Sequence, residues 1–156
     1  MTRQTWKTIC MAGFILALMG AVSFAQDTVQ SAKSDPGQGD KMAEHRFLFE
    51  YIYFKADSAA IQTSFIETLN RKVAWLKQNS DVSIIIEGHC DEKGSAAFNM
   101  QLGEARAGRV KTYLTQKGIA SSRLLTISYG KEDPVDSGHT EEARAKNRRV
   151  RFVIAP

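Results

Sequence analysis

The sequence predicts an α/β (α+β) sandwich, a small mixed four-stranded sheet with two long helices packed on one face. Three observations lead there. Four short segments are rich in branched and aromatic residues, two stretches between them carry apolar residues at helical spacing, and the order runs strand, helix, strand, helix, strand, strand. Right-handed crossovers set both helices on the same face if the strands pair suitably, while the strand order is left open by the sequence.

The first strand is read in residues 46–54, RFLFEYIYF, from its aromatic and branched content. A helix follows over 58–79, where Ile61, Phe65, Leu69, Val73 and Leu76 form one apolar stripe. VSIIIEG, residues 82–88, is a short buried strand. The second helix spans about 96–117, with Phe98, Leu102, Ala105, Val110 and Leu114 on roughly one face and Gly118 supplying its left-handed end. Residues 123–130 and 148–154 read as the last two strands. Between them lies a loop whose TEEARAK segment forms a short helical turn.

Composition bounds the rest. A chain of 156 residues with 43% hydrophobic and 24% charged residues is one ordinary globular domain plus extra segments. Arg3 and Lys7 open the chain, ICMAGFILALMGAV follows, and Ser23 and Ala25 stand at the small-residue positions of a cleavage site. Residues 1–25 therefore read as a secretory signal, the apolar run being shorter than the roughly 20 residues that span a bilayer. Residues 26–44, almost devoid of large apolar side chains, read as a flexible linker with a root-mean-square span of about 25 Å. The folded domain is expected over 45–156. Cleavage removes two of 21 basic residues and none of 17 acidic ones, leaving 19 minus 17, or +2, which points to no nucleic-acid partner. The basic RAKNRRVR segment reads as solvated surface, because alternate strand residues face opposite ways. Cys10 precedes most of the apolar run, and KTIC lacks the small residue expected before a lipidated cysteine, which argues against a direct membrane anchor. Cys90 is left as the mature chain's single thiol.

The densest chemistry is EGHCDEKGSAAFNMQLGEARA, residues 87–107. His89 and Cys90 leave a strand in opposite directions, and His45 and His139 complete no ligand spacing, so no metal site is expected. The same divergence deprives Cys90 of an adjacent base, and nothing in the polar loop desolvates Asp91 or Glu92 to make an acid catalyst. Neither an enzyme nor a cofactor is expected. What survives is ligand gripping: Asp91 at a strand end offers an anionic acceptor, and Arg106 on the following helix offers a planar donor. The two either bridge each other or hold the opposite charges of a zwitterion.

The long segment 87–119, followed by SYGKEDP and KNRRVRF, resembles the OmpA-like peptidoglycan-binding domain family, in particular its Pal-type branch, over about residues 51–154. The resemblance implies noncovalent binding of peptidoglycan through the meso-diaminopimelate of the stem peptide. Asp91 falls at the aspartate of GHxD and Arg106 at the arginine of LxxxRA, here LGEARA. Asn99, Arg148 and Asp57 match further binding positions, and Phe54 shapes the pocket wall. The family implies a periplasmic location beside peptidoglycan and the outer membrane. It also implies an alternative role docking the Tol-system protein TolB or other envelope proteins. Two departures are specific to this chain: Cys90 replaces the usual threonine or alanine, and FKAD places Lys55 where an acidic residue is commoner.

Overall fold

Three consecutive isoleucines, Ile84, Ile85 and Ile86, favour an extended backbone, because branched side chains pack well on a pleated surface. In the computed structural model, which describes residues 49–156, they open the central strand β2 (Ile84–His89). β2 pairs in parallel with β3 (Leu124–Gly130) and antiparallel with β4 (Arg149–Ile154). β4 pairs antiparallel with β1 (Ile52–Tyr53), so the mixed sheet runs β1-β4-β2-β3.

Parallel β2 and β3 require a crossover, and helix α2 (Ala96–Gln116) supplies it. Helix α1 (Ile66–Gln78), preceded by a 3-10 turn at Thr63–Phe65, fills the β1 to β2 connection. Leu69, Val73 and Leu76 of α1 and Ala107, Val110 and Leu114 of α2 share one core with Ile84, Ile86, Leu124, Val150 and Phe152. Both long helices therefore cover one face, as expected. Tyr113 Oη, donating to Asn70 Oδ1 at 2.8 Å, links them directly. Arg123 closes the end of α1 by donating to the carbonyls of Leu76, Asn79 and Val82 at 3.0, 2.6 and 2.7 Å. Lys72 points inward from α1 with its ammonium 4.2 Å from the centroid of Phe152, and burial lowers its pKa to about 7.

The strand expected at 46–54 is pared to two residues, and residues 45–48 lie outside the described part of the chain, as do the expected signal segment, Cys10 and the linker. The first helix begins at Ile66 instead of 58, because residues 55–62 form a loop whose carbonyls are needed elsewhere. The stripe expected on α2 holds only at Val110 and Leu114. Toward the N-terminus of the helix the buried residues are Asn99, Gly103, Arg106 and Ala107, and Phe98 is exposed. Gly103 rides on Gly88 of β2, and a methyl added to Gly88 would overlap the Gly103 carbonyl. This close approach turns a polar face of α2 inward. The short turn expected at TEEARAK is helix α3 (Glu141–Asn147), capped by Thr140 Oγ1 accepting from Ala143 N at 3.2 Å.

Candidate functional site: the β2 to α2 turn

Leaving β2, the chain alternates sides. The His89 ring goes to the helix-free face and stacks on Tyr129, with centroids 5.3 Å apart. Cys90 is turned to α2, where its thiol donates to the Asn99 carbonyl at 3.4 Å and accepts from Arg106 Nη1 at 3.2 Å. The two side chains do not converge, and among the described residues no three His, Cys, Asp or Glu side chains are grouped to hold a metal. Burial raises the Cys90 pKa against the opposing pull of Arg106, so the thiol stays protonated near neutrality.

Asp91 follows at the rim. Its Oδ1 accepts from Lys93 N at 3.1 Å, and Oδ2 accepts from Arg148 Nη1 at 3.0 Å. The first contact is an Asx-type turn that fixes the carboxylate. Asn99 stiffens the same loop by donating Nδ2 to the Lys93 carbonyl at 2.7 Å, and Gly94, at φ 86°, takes the left-handed conformation that the turn requires.

Arg106 is fully buried. Nε donates to the Ser58 carbonyl at 2.9 Å, Nη1 to the His89 carbonyl at 2.8 Å and to the Cys90 sulfur, and Nη2 to the Lys55 carbonyl at 3.1 Å. A guanidinium has five N–H groups, and four are thus committed, leaving one on Nη2 without a partner among the described residues. Its Cζ lies 5.3 Å from the ring centroid of Phe54. Burial lowers its pKa, with Cys90, Asp91 and Asp57 opposing the shift. Asp57 is exposed and sits at φ 50°, the single non-glycine residue of positive φ among those described.

Arg148 ties the third wall. It donates Nε to the Phe54 carbonyl at 3.2 Å, Nη1 to Asp91 and Nη2 to Glu141 Oε1 at 2.8 Å. Burial acts against its charge, but the bonds to Asp91 and Glu141 prevail and raise its pKa.

All six sequence-predicted residues thus come to one end of the sheet. Asp91 and Arg106 are not each other's ion-pair partner: Asp91 is paired with Arg148, and Arg106 is held by carbonyls. The sequence reading missed Glu141 and Ser58. Glu141 had a weak signal as an acid opening the short helix, whereas Ser58 acts through its backbone oxygen, which carries no residue-type signal.

The model of the OmpA family matches residues 53–148, more than half of the chain. The chain belongs to the OmpA family. This OmpA-family domain is 33% identical over 144 residues to the peptidoglycan-associated lipoprotein of Haemophilus influenzae, covering 92% of this chain and 94% of that one. Its fold is similar to the crystal structure of the peptidoglycan-associated lipoprotein from Burkholderia pseudomallei, with a TM-score of 0.66 and 34% identity over 67% of this chain and 89% of that one. The C-terminal domain of Helicobacter pylori MotB follows with a TM-score of 0.64 and 27% identity over 69% and 84% of the two chains. The matched family segment contains Phe54, Asp57, Asp91, Asn99, Arg106 and Arg148. The OmpA-family domain is a binding module and not an enzyme.

Proposed function

We propose that this domain binds peptidoglycan noncovalently through the meso-diaminopimelate of the stem peptide and so organises the cell envelope. The observation that carries the reading is the rim carboxylate of Asp91 beside a buried guanidinium with one uncommitted N–H. A ligand ammonium takes Asp91 as its acceptor, and the carboxylate on the same carbon takes the remaining donor of Arg106. Asp57, Asn99, Arg148 and Phe54 complete the walls. The names of the Haemophilus and Burkholderia relatives support the wall as the ligand, and in this reading a wall ligand puts the domain in the periplasm. Residues 1–25 act in this reading as a cleaved export signal and 26–44 as a tether.

Arg106→Ala would strip the loops of four interactions and report on folding as much as on binding. Asp91→Asn is the better test, because the amide keeps shape and an acceptor. In titration calorimetry with a soluble diaminopimelate tripeptide, Asp91→Asn is expected to lose about 2 to 5 kcal/mol, some 30-fold or more in affinity. The tripeptide with lysine in place of diaminopimelate keeps the side-chain ammonium but lacks the carboxylate on the same carbon, and is expected to bind the wild type at least about 10-fold more weakly. Undiminished binding by a folded Asp91→Asn protein would refute the assignment.

A second reading is Pal-like docking of TolB at an overlapping face. Phe98 and Met100, 45% and 44% exposed on either side of Asn99, favour it. Copurification with TolB that soluble wall fragments leave unchanged would count against competition for one face.

A further inference from the structure

Two depressions join along the β1 to α1 loop. One, of about 500 Å³, is lined by Tyr53, Phe54, Phe65, Lys146 and Arg148 among others. The other, of about 420 Å³, runs on past Ser58, Ala60 and Thr63. Lys55, Gln62 and Ser64 line both, so together they form one groove. Phe54 and Arg148 belong to the groove and to the site around Asp91, which sets the groove's mouth against that site.

The charge of the lining is one-sided. Lys55, Lys146 and Arg148 contribute to it, and no aspartate or glutamate does. Lys146 is already paired with Asp136 at 2.8 Å, and Arg148 with Asp91 and Glu141. The ammonium of Lys55 makes no ion pair among the described residues. Its backbone is nevertheless held, because the Lys55 carbonyl accepts from Arg106 Nη2 at 3.1 Å and from Ser58 N at 3.4 Å. Gln62 Nε2, donating to the Tyr53 carbonyl at 3.1 Å, braces the opposite side. A cation anchored through its backbone, with no counter-charge among the described residues, in a groove whose lining adds two paired cations, hydroxyls, an amide, aromatic rings and small apolar side chains, suits a peptide that carries its own carboxylate.

We propose that this groove is a carboxylate subsite, with Lys55 as its cation, for the part of the ligand adjoining the zwitterion held at Asp91. The inference rests on the diaminopimelate reading above. In a stem peptide the adjoining residue is a glutamate joined through its side-chain carboxyl, so its α-carboxylate is free to meet Lys55.

The test uses two tripeptides that differ only in amidation of that α-carboxylate, titrated by calorimetry into the wild type and Lys55→Gln. Lys55 is exposed and its structural contacts run through its backbone, so the substitution leaves the fold intact. Amidation is expected to weaken wild-type binding about 2- to 5-fold, the range of an exposed ion pair. Lys55→Gln is expected to bind both peptides equally, and raising the salt concentration to shrink the wild-type difference. Equal wild-type affinities, or discrimination that survives in Lys55→Gln, would overturn the subsite and leave the diaminopimelate reading standing. Binding of neither peptide by the wild type would overturn both.

Discussion

At the scale of single residues, His89 shows how an uncharged imidazole is kept among charges. Arg149 and Arg151 face it from β4, Glu87 from its own strand and Asp133 from the loop after β3, with Asp133 Oδ2 3.6 Å from Nδ1. Burial, reinforced by Arg149, lowers its pKa to about 4 against the weaker opposing pull of Asp133. The sign of the pH effect follows. Below about pH 6.5 an unfolded histidine takes up a proton, whereas the folded one stays neutral until about pH 4, so acid favours unfolding across that window. His89 is therefore expected to remove on the order of 2 to 3 kcal/mol of stability between those values. Urea titrations at several pH values should show a steeper acid decline for the wild type than for His89→Gln. Parallel curves would refute the shift. Asp91 was legible at this scale as a candidate because GHxD is a compact pattern of residue types. Its pairing with Arg148 was not, since the partners lie 57 positions apart.

At the scale of elements, the seat of α2 on the sheet is decided by two glycines. A methyl on Gly103 would stand 2.9 Å from the Gly88 carbonyl oxygen, so no larger residue fits without lifting the helix. Gly88→Ala is expected to cost about 1 to 3 kcal/mol and to weaken tripeptide binding, because it moves the helix that carries Arg106. Thermal unfolding and calorimetry on the same samples check both. A destabilised protein with unchanged affinity would show that the site does not depend on this contact. The glycine contact also explains the misplaced stripe. Apolar periodicity marked the C-terminal half of α2 correctly through Val110 and Leu114. It failed in the N-terminal half, where small residues are buried for close approach and polar ones to hydrogen-bond the surrounding loops.

At the scale of the whole molecule, one face of the sheet carries the helices, and among the described residues no element covers the other. Leu125, Ile127 and Tyr129 of the edge strand β3 are 52%, 40% and 36% exposed on that open face. The described hydrophobic core is drawn entirely from residues between Ile52 and Phe152. A chain beginning at residue 45 is therefore expected to unfold in one cooperative calorimetric transition and to bind the tripeptide as the full-length chain does. A broad or absent transition would place the domain boundary earlier.

By itself the sequence determined the kind and order of the elements and the residue types gathered at the β2 to α2 turn. These follow from side-chain periodicity and short motifs, which are local properties. Tertiary structure alone decided that the Arg106 donors are committed to the carbonyls of Lys55, Ser58 and His89, that Asp91 answers to Arg148, and that Lys55 stands in a groove to which no acid among the described residues contributes. Those outcomes depend on backbone atoms that every residue shares and on partners brought together from opposite ends of the domain, and neither leaves a mark in residue order.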